Sequence, residues 1–163
     1  MKHLAAFAFV VTACSPYSIS GPRPPSVAPF GPSRADAGTI CVVRASAFAR
    51  SVMFVVHDNR QLVGATKGDS YFCYEAAPGE HTIVSDTFDS VDHPGSVVVS
   101  IAPGARYWLL QDHENNLGSV TSKLAWIDEQ RARQLVERCE YKVVTSVPGH
   151  EELPPAVPFV PAA

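Results

Sequence analysis

Positive charge is scarce in this 163-residue sequence. Its 13 Lys and Arg residues are outnumbered by 16 Asp and Glu residues, and the formal net charge is −3 at pH 7. A protein that binds nucleic acid without regard to base sequence needs a basic patch or stripe that neutralises phosphates. No such stripe runs along this chain. The charge balance therefore argues against nucleic acid as a partner.

Long hydrophobic runs are also missing. The apolar segment 4–11 has eight residues. As a helix it would span about 12 Å, whereas the hydrocarbon core of a bilayer is about 30 Å thick. No later run is long enough either, and we expect no membrane-spanning helix.

The signatures of catalysis and metal binding are absent as well. The sequence has no GxSxG turn, no glycine-rich phosphate loop, no HExxH and no CxxC pair. The acidic runs at 86–93 and 112–114 do not match a calcium loop, and we expect them to be solvated loops. His81 shares one face of a strand with Ile83, which predicts a hydrogen-bonded strand residue. The sequence therefore predicts no enzyme, no catalytic residues, no metal site and no cofactor.

What the N-terminus does contain is an export signal. A short positive head, Met1-Lys2-His3, precedes the apolar segment, and Val11-Thr12-Ala13-Cys14 follows. This ending resembles the lipobox of bacterial lipoproteins, in which the thiol is acylated and the signal is cut before the cysteine. The resemblance implies a signal peptide at 1–13, lipidation at Cys14 and membrane lipid as a partner. An ordinary secreted protein with an incidental thiol is the alternative. Ser15, where Asp would retain a lipoprotein in the inner membrane, predicts the outer membrane, with the protein facing the periplasm.

Proline divides the rest of the chain. Of 14 prolines, six lie from Pro16 to Pro32 and five from Pro148 onward. We expect 14–36 to be the lipid anchor and a semi-extended linker, able to hold the domain up to about 70 Å from the lipid. The segment 148–163 is expected to be a disordered tail. One domain, 37–147, remains between them.

Strand periodicity dominates this domain. Short runs rich in Val, Ile, Phe and Tyr alternate with turn residues, at 39–44, 52–58, 61–65, 70–75, 81–85, 96–101 and 106–111. Ala132, Leu135, Val136 and Cys139 repeat at helical spacing and predict one amphipathic helix at 127–139, followed by a last strand at 140–145. The predicted fold is mainly β, an antiparallel β-sandwich of about seven or eight short strands with one C-terminal amphipathic helix.

Several short motifs follow one another in this core. They are Val42-Val43-Arg44, a hairpin from Val56 to Gly64, Gly68-Asp69-Ser70-Tyr71-Phe72, Pro78-Gly79-Glu80-His81-Thr82-Ile83, Pro103-Gly104-Ala105-Arg106-Tyr107-Trp108-Leu109 and Trp126-Ile127-Asp128-Glu129. In this order they resemble the bacterial domain-of-unknown-function family 2846, found in exported and lipid-anchored proteins. The resemblance covers about residues 37–140. It implies a transthyretin-like or PEGA-like β-sandwich and supplies no catalytic residues, because the activity of that family is unknown.

Three cysteines remain once Cys14 is set aside. In an oxidising compartment Cys41, Cys73 and Cys139 allow three single bridges. A disulfide between Cys73 and Cys139 is the first choice, since it would link the helix covalently to the sandwich. Sequence alone does not fix the distances that decide among the three.

The expected function follows from these observations. The sequence predicts an uncharacterised lipid-anchored protein of the cell envelope, whose β-sandwich is a structural or protein-interaction module. The alternative is a binding module for envelope glycans or peptides, without catalysis. For that alternative, the aromatic residues could line a ligand-binding face instead of the core; they are Tyr71, Phe72, Tyr74, Tyr107 and Trp108.

Overall fold

The computed structural model describes residues 17–21, 25, 27–87, 90–116, 119–145 and 156–163. This part of the chain is mainly β, with one helix, as predicted. The strands are β1 (Ser18–Ser20), β2 (Gly38–Arg44), β3 (Phe54–Asp58), β4 (Gln61–Thr66), β5 (Ser70–Ala76), β6 (Gly79–Thr87), β7 (Ser90–Ile101), β8 (Arg106–Asn116), β9 (Ser119–Ile127), β10 (Glu140–Tyr141), β11 (Val143–Thr145) and β12 (Phe159–Val160). The helix α1 spans Glu129–Val136.

Two sheets enclose the core. The larger has the order β10-β5-β2-β8-β9, and the smaller has the order β4-β3-β6-β7. Alternation along β2 turns Ile40 and Val42 towards the smaller sheet, where they join Val56 and Ile83 in one apolar cluster. Every residue of β2 is buried, because α1 covers part of the other face of the larger sheet. In the part of the chain that the structure describes, no helix is long and apolar enough to cross a membrane.

The pairing differs from an all-antiparallel sandwich. β2 pairs with β8 in parallel, with Ile40 opposite Tyr107. The strands β7 and β8 continue further than expected, so the acidic run 112–114 lies within β8 and the expected loop there is wrong. The run 86–93 begins in β6 and ends in β7, with residues 88 and 89 outside the described residues. Strand β9 was not predicted, since its buried residues include the polar Thr121 and Ser122 and leave no apolar stripe.

The helix is shorter than its apolar periodicity predicts. Asp128 caps its start, accepting a hydrogen bond from the Arg131 backbone N–H at 2.7 Å. At the other end, the backbone N–H of Cys139 donates to the Val136 carbonyl at 3.0 Å. This i to i+3 bond tightens the chain into a turn and ends the helical hydrogen-bond pattern. The expected last strand is likewise divided into β10 and β11 at Lys142.

Much of the predicted linker belongs to the domain. β1 pairs antiparallel with β11, with Ser18 opposite Thr145. Further along, the ring of Phe30 packs on Trp108 with centroids 5.0 Å apart. The guanidinium of Arg106 donates to backbone carbonyls of this segment, those of Ala28, Pro29 and Gly31. The expected semi-extended tether is therefore wrong for β1 and for residues 27–36.

The end of the predicted disordered tail is also part of the fold. β12 adds in parallel to the edge of β5, and the side chain of Val160 is fully buried. Backbone N–H groups of Glu75 and Ala77 donate to the carbonyls of Pro158 and Val160, at 2.9 and 2.8 Å. Proline lacks an N–H but keeps its carbonyl, so it can serve an edge strand from this side. The prediction of disorder is wrong for residues 156–163.

The disulfide joins Cys41 to Cys73. The two residues are directly opposite each other on the antiparallel strands β2 and β5, with Cα atoms 4.1 Å apart. Cys139 carries a free thiol. The predicted Cys73–Cys139 bridge is wrong, because strand register, which local sequence does not reveal, decides which thiols meet.

Candidate functional site

The residue predicted to carry lipid, Cys14, lies outside the described residues. The first described residue after it is Tyr17, which packs with Ile19 over a small apolar cluster on the smaller sheet. That cluster consists of Met53, Val55, Leu62 and Ala65. The chain therefore joins the folded domain within a few residues of Cys14.

A fully buried polar cluster lies between the sheets. The hydroxyl of Tyr74 donates to the Asp58 carboxyl at 2.9 Å, and Nδ1 of His81 lies 2.9 and 3.0 Å from its two oxygens. The other nitrogen of the ring, Nε2, lies 2.9 Å from the Ala77 carbonyl, which can only accept. Nε2 therefore carries a proton.

The cluster holds the two sheets in register, and no solute reaches it. Asp58 and His81 have no exposed surface, and burial raises the pKa of Asp58, an effect that the neighbouring His81 opposes. The prediction that His81 is a hydrogen-bonded strand residue on the face of Ile83 is confirmed, since both are buried. Every polar atom of the three side chains has a partner within this cluster or on the backbone, which is what a structural role requires.

A second polar cluster crosses the sandwich at the end of β4 where Thr66 lies. Gln111 of β8 donates to Ser85 of β6 at 2.5 Å and accepts from Thr66 of β4, and Ser85 and Ser122 oxygens lie 2.6 Å apart. All four side chains are buried. These residues cannot be recognised from the sequence, because uncharged polar residues on a strand give no periodic signal that separates buried from exposed positions.

Arg44 is the largest fully buried side chain among the described residues. Its guanidinium donates to the carbonyls of Val52 at 2.7 Å and Ala49 at 2.9 Å, and lies 4.1 Å from the ring centroid of Phe54. Burial lowers the pKa of Arg44 to about 10. These bonds fix the loop between β2 and β3, which carries Arg50.

This loop contributes to a pocket of about 480 Å³, which we call the charged pocket. Its lining residues are Ile19, Arg50, Lys67, Gly68, Asp69, Ser70, Arg138, Glu140 and Lys142. Arg50 pairs with Asp69, and Lys142 pairs with Glu140 at 2.5 Å. Within the described residues, neither Lys67 nor Arg138 has an ion-pair partner. The pocket therefore holds four cations against two carboxylates.

Backbone contacts keep the charged pocket in shape. The N–H of Gly68 donates to the Arg50 carbonyl at 3.1 Å. A Cβ atom at Gly68 would lie 2.8 Å from the Ser46 carbonyl oxygen, so only glycine fits this close approach. On the other side, the Glu140 N–H donates to the Asp69 carbonyl at 2.9 Å and ties β10 to the turn before β5.

A second pocket, of about 720 Å³, lies at the opposite end of β4. We call it the hairpin pocket, and it is lined by His57, Asn59, Arg60, Thr82, Val84 and Ala163. Asn59 and Arg60 both have positive φ, 47° and 68°, the backbone of a tight hairpin turn. The Asn59 side chain accepts from the Thr82 N–H at 3.0 Å and fixes this turn to β6. Burial lowers the pKa of His57.

The aromatic residues considered for ligand binding are mostly core residues. Tyr71, Phe72, Tyr74 and Trp108 are buried, and Tyr107 is half-buried. Among the aromatic residues that the structure describes, the exposed ones are Phe48 at 52%, Phe159 at 40% and Trp126 at 38%. Trp126 meets Tyr107 edge to face, with ring centroids 6.1 Å apart. This pair is the aromatic surface that a glycan could stack on.

Cys139 does not have the environment of a reactive thiol. Its Sγ lies 3.8 Å from the Arg44 carbonyl, and burial raises the pKa of Cys139 to about 11. No group of three His, Cys, Asp or Glu side chains in the described ranges is placed to hold a metal ion.

No family model, curated protein or solved structure matches the chain. The resemblance to the domain-of-unknown-function family 2846 stays a prediction that depends on the motifs.

Proposed function

We propose that this chain is a lipid-anchored protein of the bacterial cell envelope, whose β-sandwich is a protein-interaction module without catalysis. The outer membrane, with the domain facing the periplasm, is the proposed location. The export signal and the lipobox-like ending at Cys14 support the anchor. The buried and fully hydrogen-bonded state of Asp58 and His81 supports a structural role for the groups that would otherwise be candidates for acid–base chemistry.

The observation that carries the proposal is the lipobox-like ending at Cys14, and the position of β1 limits how far an anchored domain can lie from the membrane. This strand begins at Ser18, four residues after Cys14. Four residues reach at most about 14 Å, against the roughly 70 Å expected for a linker up to residue 36. An anchor at Cys14 would therefore hold the folded domain beside the membrane surface.

The hairpin pocket is the proposed surface for a partner protein. It lies about 20 Å from the charged pocket along the length of β4. Two of its lining residues, Thr82 and Val84 of β6, lie beside the exposed Val98 of β7. Partly apolar exposed surface with a polar rim is typical of protein-interaction sites. Glycan binding through Trp126 and Tyr107 is the second candidate, favoured by the exposure of Trp126.

The anchor is tested by the intact mass of the membrane-fraction protein, for the wild type and for Cys14→Ser. We expect a chain that begins at Cys14 with added acyl groups, and no acylation in the variant. A soluble, unacylated wild-type chain would contradict the anchor and leave a secreted protein. The same spectra, recorded with and without reductant, detect the disulfide as a mass lower by two hydrogen atoms in the non-reduced protein.

The interaction surface is tested by site-specific photo-cross-linking in cells. A cross-linker in place of Thr82, in the hairpin pocket, should give one discrete protein adduct, and a cross-linker in place of Glu137, the exposed residue that follows α1, should not. The glycan candidate predicts instead that the protein sediments with insoluble envelope polysaccharide and that Trp126→Ala abolishes this. Adducts of equal yield at both positions, with no sedimentation, would contradict both candidates.

A further inference from the structure

We infer that the charged pocket binds the phosphate groups of anionic phospholipids in the membrane that holds the anchor, and so fixes the orientation of the domain on that membrane. The inference rests on the proposed lipid anchor and adds a second contact with the bilayer. Three properties of the pocket support this role: its charge, its distance from Cys14 and its rigidity.

The charge of the pocket has the opposite sign to that of the chain. The full chain carries a net charge of −3, whereas the charged pocket collects Arg50, Lys67, Arg138 and Lys142 around two carboxylates. An anionic surface therefore repels most of this protein and attracts this end of it, which orients the domain.

Two of the cations are available to an external anion. Arg50 and Lys142 have carboxylate partners, whereas Lys67 and Arg138 have none among the described residues. Lys67, before β5, is half-buried, and Arg138, after α1, is exposed. An ammonium and a guanidinium that line one pocket suit a phosphate, which accepts from both.

The pocket lies within reach of the membrane through β1. Ile19 is a lining residue and is five residues from Cys14, a span of at most about 18 Å. If Cys14 carries the lipid anchor, the pocket therefore stays close to the headgroup layer. Contact with the surface at a second point costs little additional entropy, because the anchor has already restricted the domain to the bilayer.

The pocket is also rigid where an anion would bind. Arg44 fixes the loop that carries Arg50, and the backbone of Gly68 closes on that loop. The bond from the Glu140 N–H to the Asp69 carbonyl fixes the segment that follows Arg138. Binding therefore orders few groups beyond the side chains of Lys67 and Arg138, which favours affinity.

The test measures adsorption of the full chain carrying Cys14→Ser to vesicles of phosphatidylcholine, with and without phosphatidylglycerol. All variants retain residues 1–13, so any contribution of that segment is the same throughout. We compare Lys67→Gln/Arg138→Gln with the matched control Arg60→Gln/Arg131→Gln, which removes the same charge from the hairpin turn and from the first turn of α1. Thermal melting of each variant confirms that it is folded.

We expect phosphatidylglycerol to strengthen adsorption, and Lys67→Gln/Arg138→Gln to reduce that gain by about tenfold or more. The control should keep the gain, and added salt should remove it. Equal losses in the two double variants would show attraction by net charge alone and would overturn the inference, as would no loss in either. Displacement by millimolar inorganic phosphate, but not by sodium chloride of the same ionic strength, would overturn it too, since it would indicate a site for the free anion. The anchor is read separately by intact mass, so either proposal can fail while the other stands.

Discussion

Replacing Asp58 by alanine removes the centre of the buried polar cluster. The hydroxyl of Tyr74 and Nδ1 of His81 then lose their partner, while Nε2 of His81 still donates to the Ala77 carbonyl. A buried polar group without a partner costs about 1–3 kcal/mol, so leaving two of them unpaired costs about 2–6 kcal/mol. We expect Asp58→Ala to lower the free energy of unfolding by about 4 kcal/mol.

Asp58→Asn tests whether hydrogen-bond partners for Tyr74 and His81 are what stabilises the cluster. The amide oxygen can accept from Tyr74, and the amide N–H can donate to Nδ1 of a neutral His81 that keeps its proton on Nε2. One amide hydrogen remains unpaired, so we expect a cost of about 1–2 kcal/mol. The two variants should therefore differ by at least about 2 kcal/mol, although both remove the carboxylate.

Urea unfolding at pH 7, followed by tryptophan fluorescence, measures these values in one Cys14→Ser background. The control is Asp36→Ala, which removes a carboxylate that is 71% exposed and paired with Arg34 at 2.6 Å, and it should give the smallest change of the series. The reasoning fails if Asp58→Asn is as damaging as Asp58→Ala, or if the alanine variant unfolds like the control.

Three further predictions concern the cysteines and the tail. Cys41→Ser/Cys73→Ser should lower the free energy of unfolding by about 3–4 kcal/mol, because the bridge closes a long loop of the unfolded chain. Non-reducing peptide mapping should recover the Cys41–Cys73 peptide, and a bridge that contains Cys139 would contradict this pairing. Cys139 should react with maleimide at pH 7 about a hundredfold more slowly in the folded protein than in urea, since its pKa is raised to about 11. The rate in the folded protein should rise as the pH approaches that value, and equal rates in the folded protein and in urea would contradict the burial of the thiol. Val160→Ala should cost about 2 kcal/mol in the same urea assay, whereas a tail that does not pack would give no change.

Strand positions were predictable because short runs rich in β-branched and aromatic residues, bounded by turn residues, favour strands. Residues 39–44 are an example, since the structure extends that strand by Gly38 alone. The parallel pairing of β2 with β8 was not predictable, because both strands look the same locally whichever neighbour they take. The disulfide was mispredicted for the same reason, since it depends on the register of β2 against β5.

The charged pocket was hidden from sequence analysis by its construction from separate segments. Arg50, Lys67, Arg138 and Lys142 come from three parts of the chain, and none belongs to a basic run. The absence of a basic stripe was a correct observation, but folding collects charges that the sequence keeps apart. The proline-rich ends were mispredicted because a high proline content shows only that backbone N–H donors are missing. It does not show that proline carbonyls can still accept hydrogen bonds from a strand, as that of Pro158 does.

The small sheet of β1 and β11 has a mechanical consequence. A force applied at Tyr17 would load three residue pairs of an antiparallel ribbon from one end, starting at Ser18 and Thr145. Such a ribbon opens one pair at a time and yields at low force, well before the sandwich. The next described contacts of that segment with the sandwich are at Val27, which packs against the core, and at Ala28, whose carbonyl accepts from Arg106. The segment that joins Tyr17 to the sandwich would thus be short at rest and longer under tension. Single-molecule pulling would reveal this as one small, reversible step before the sandwich unfolds.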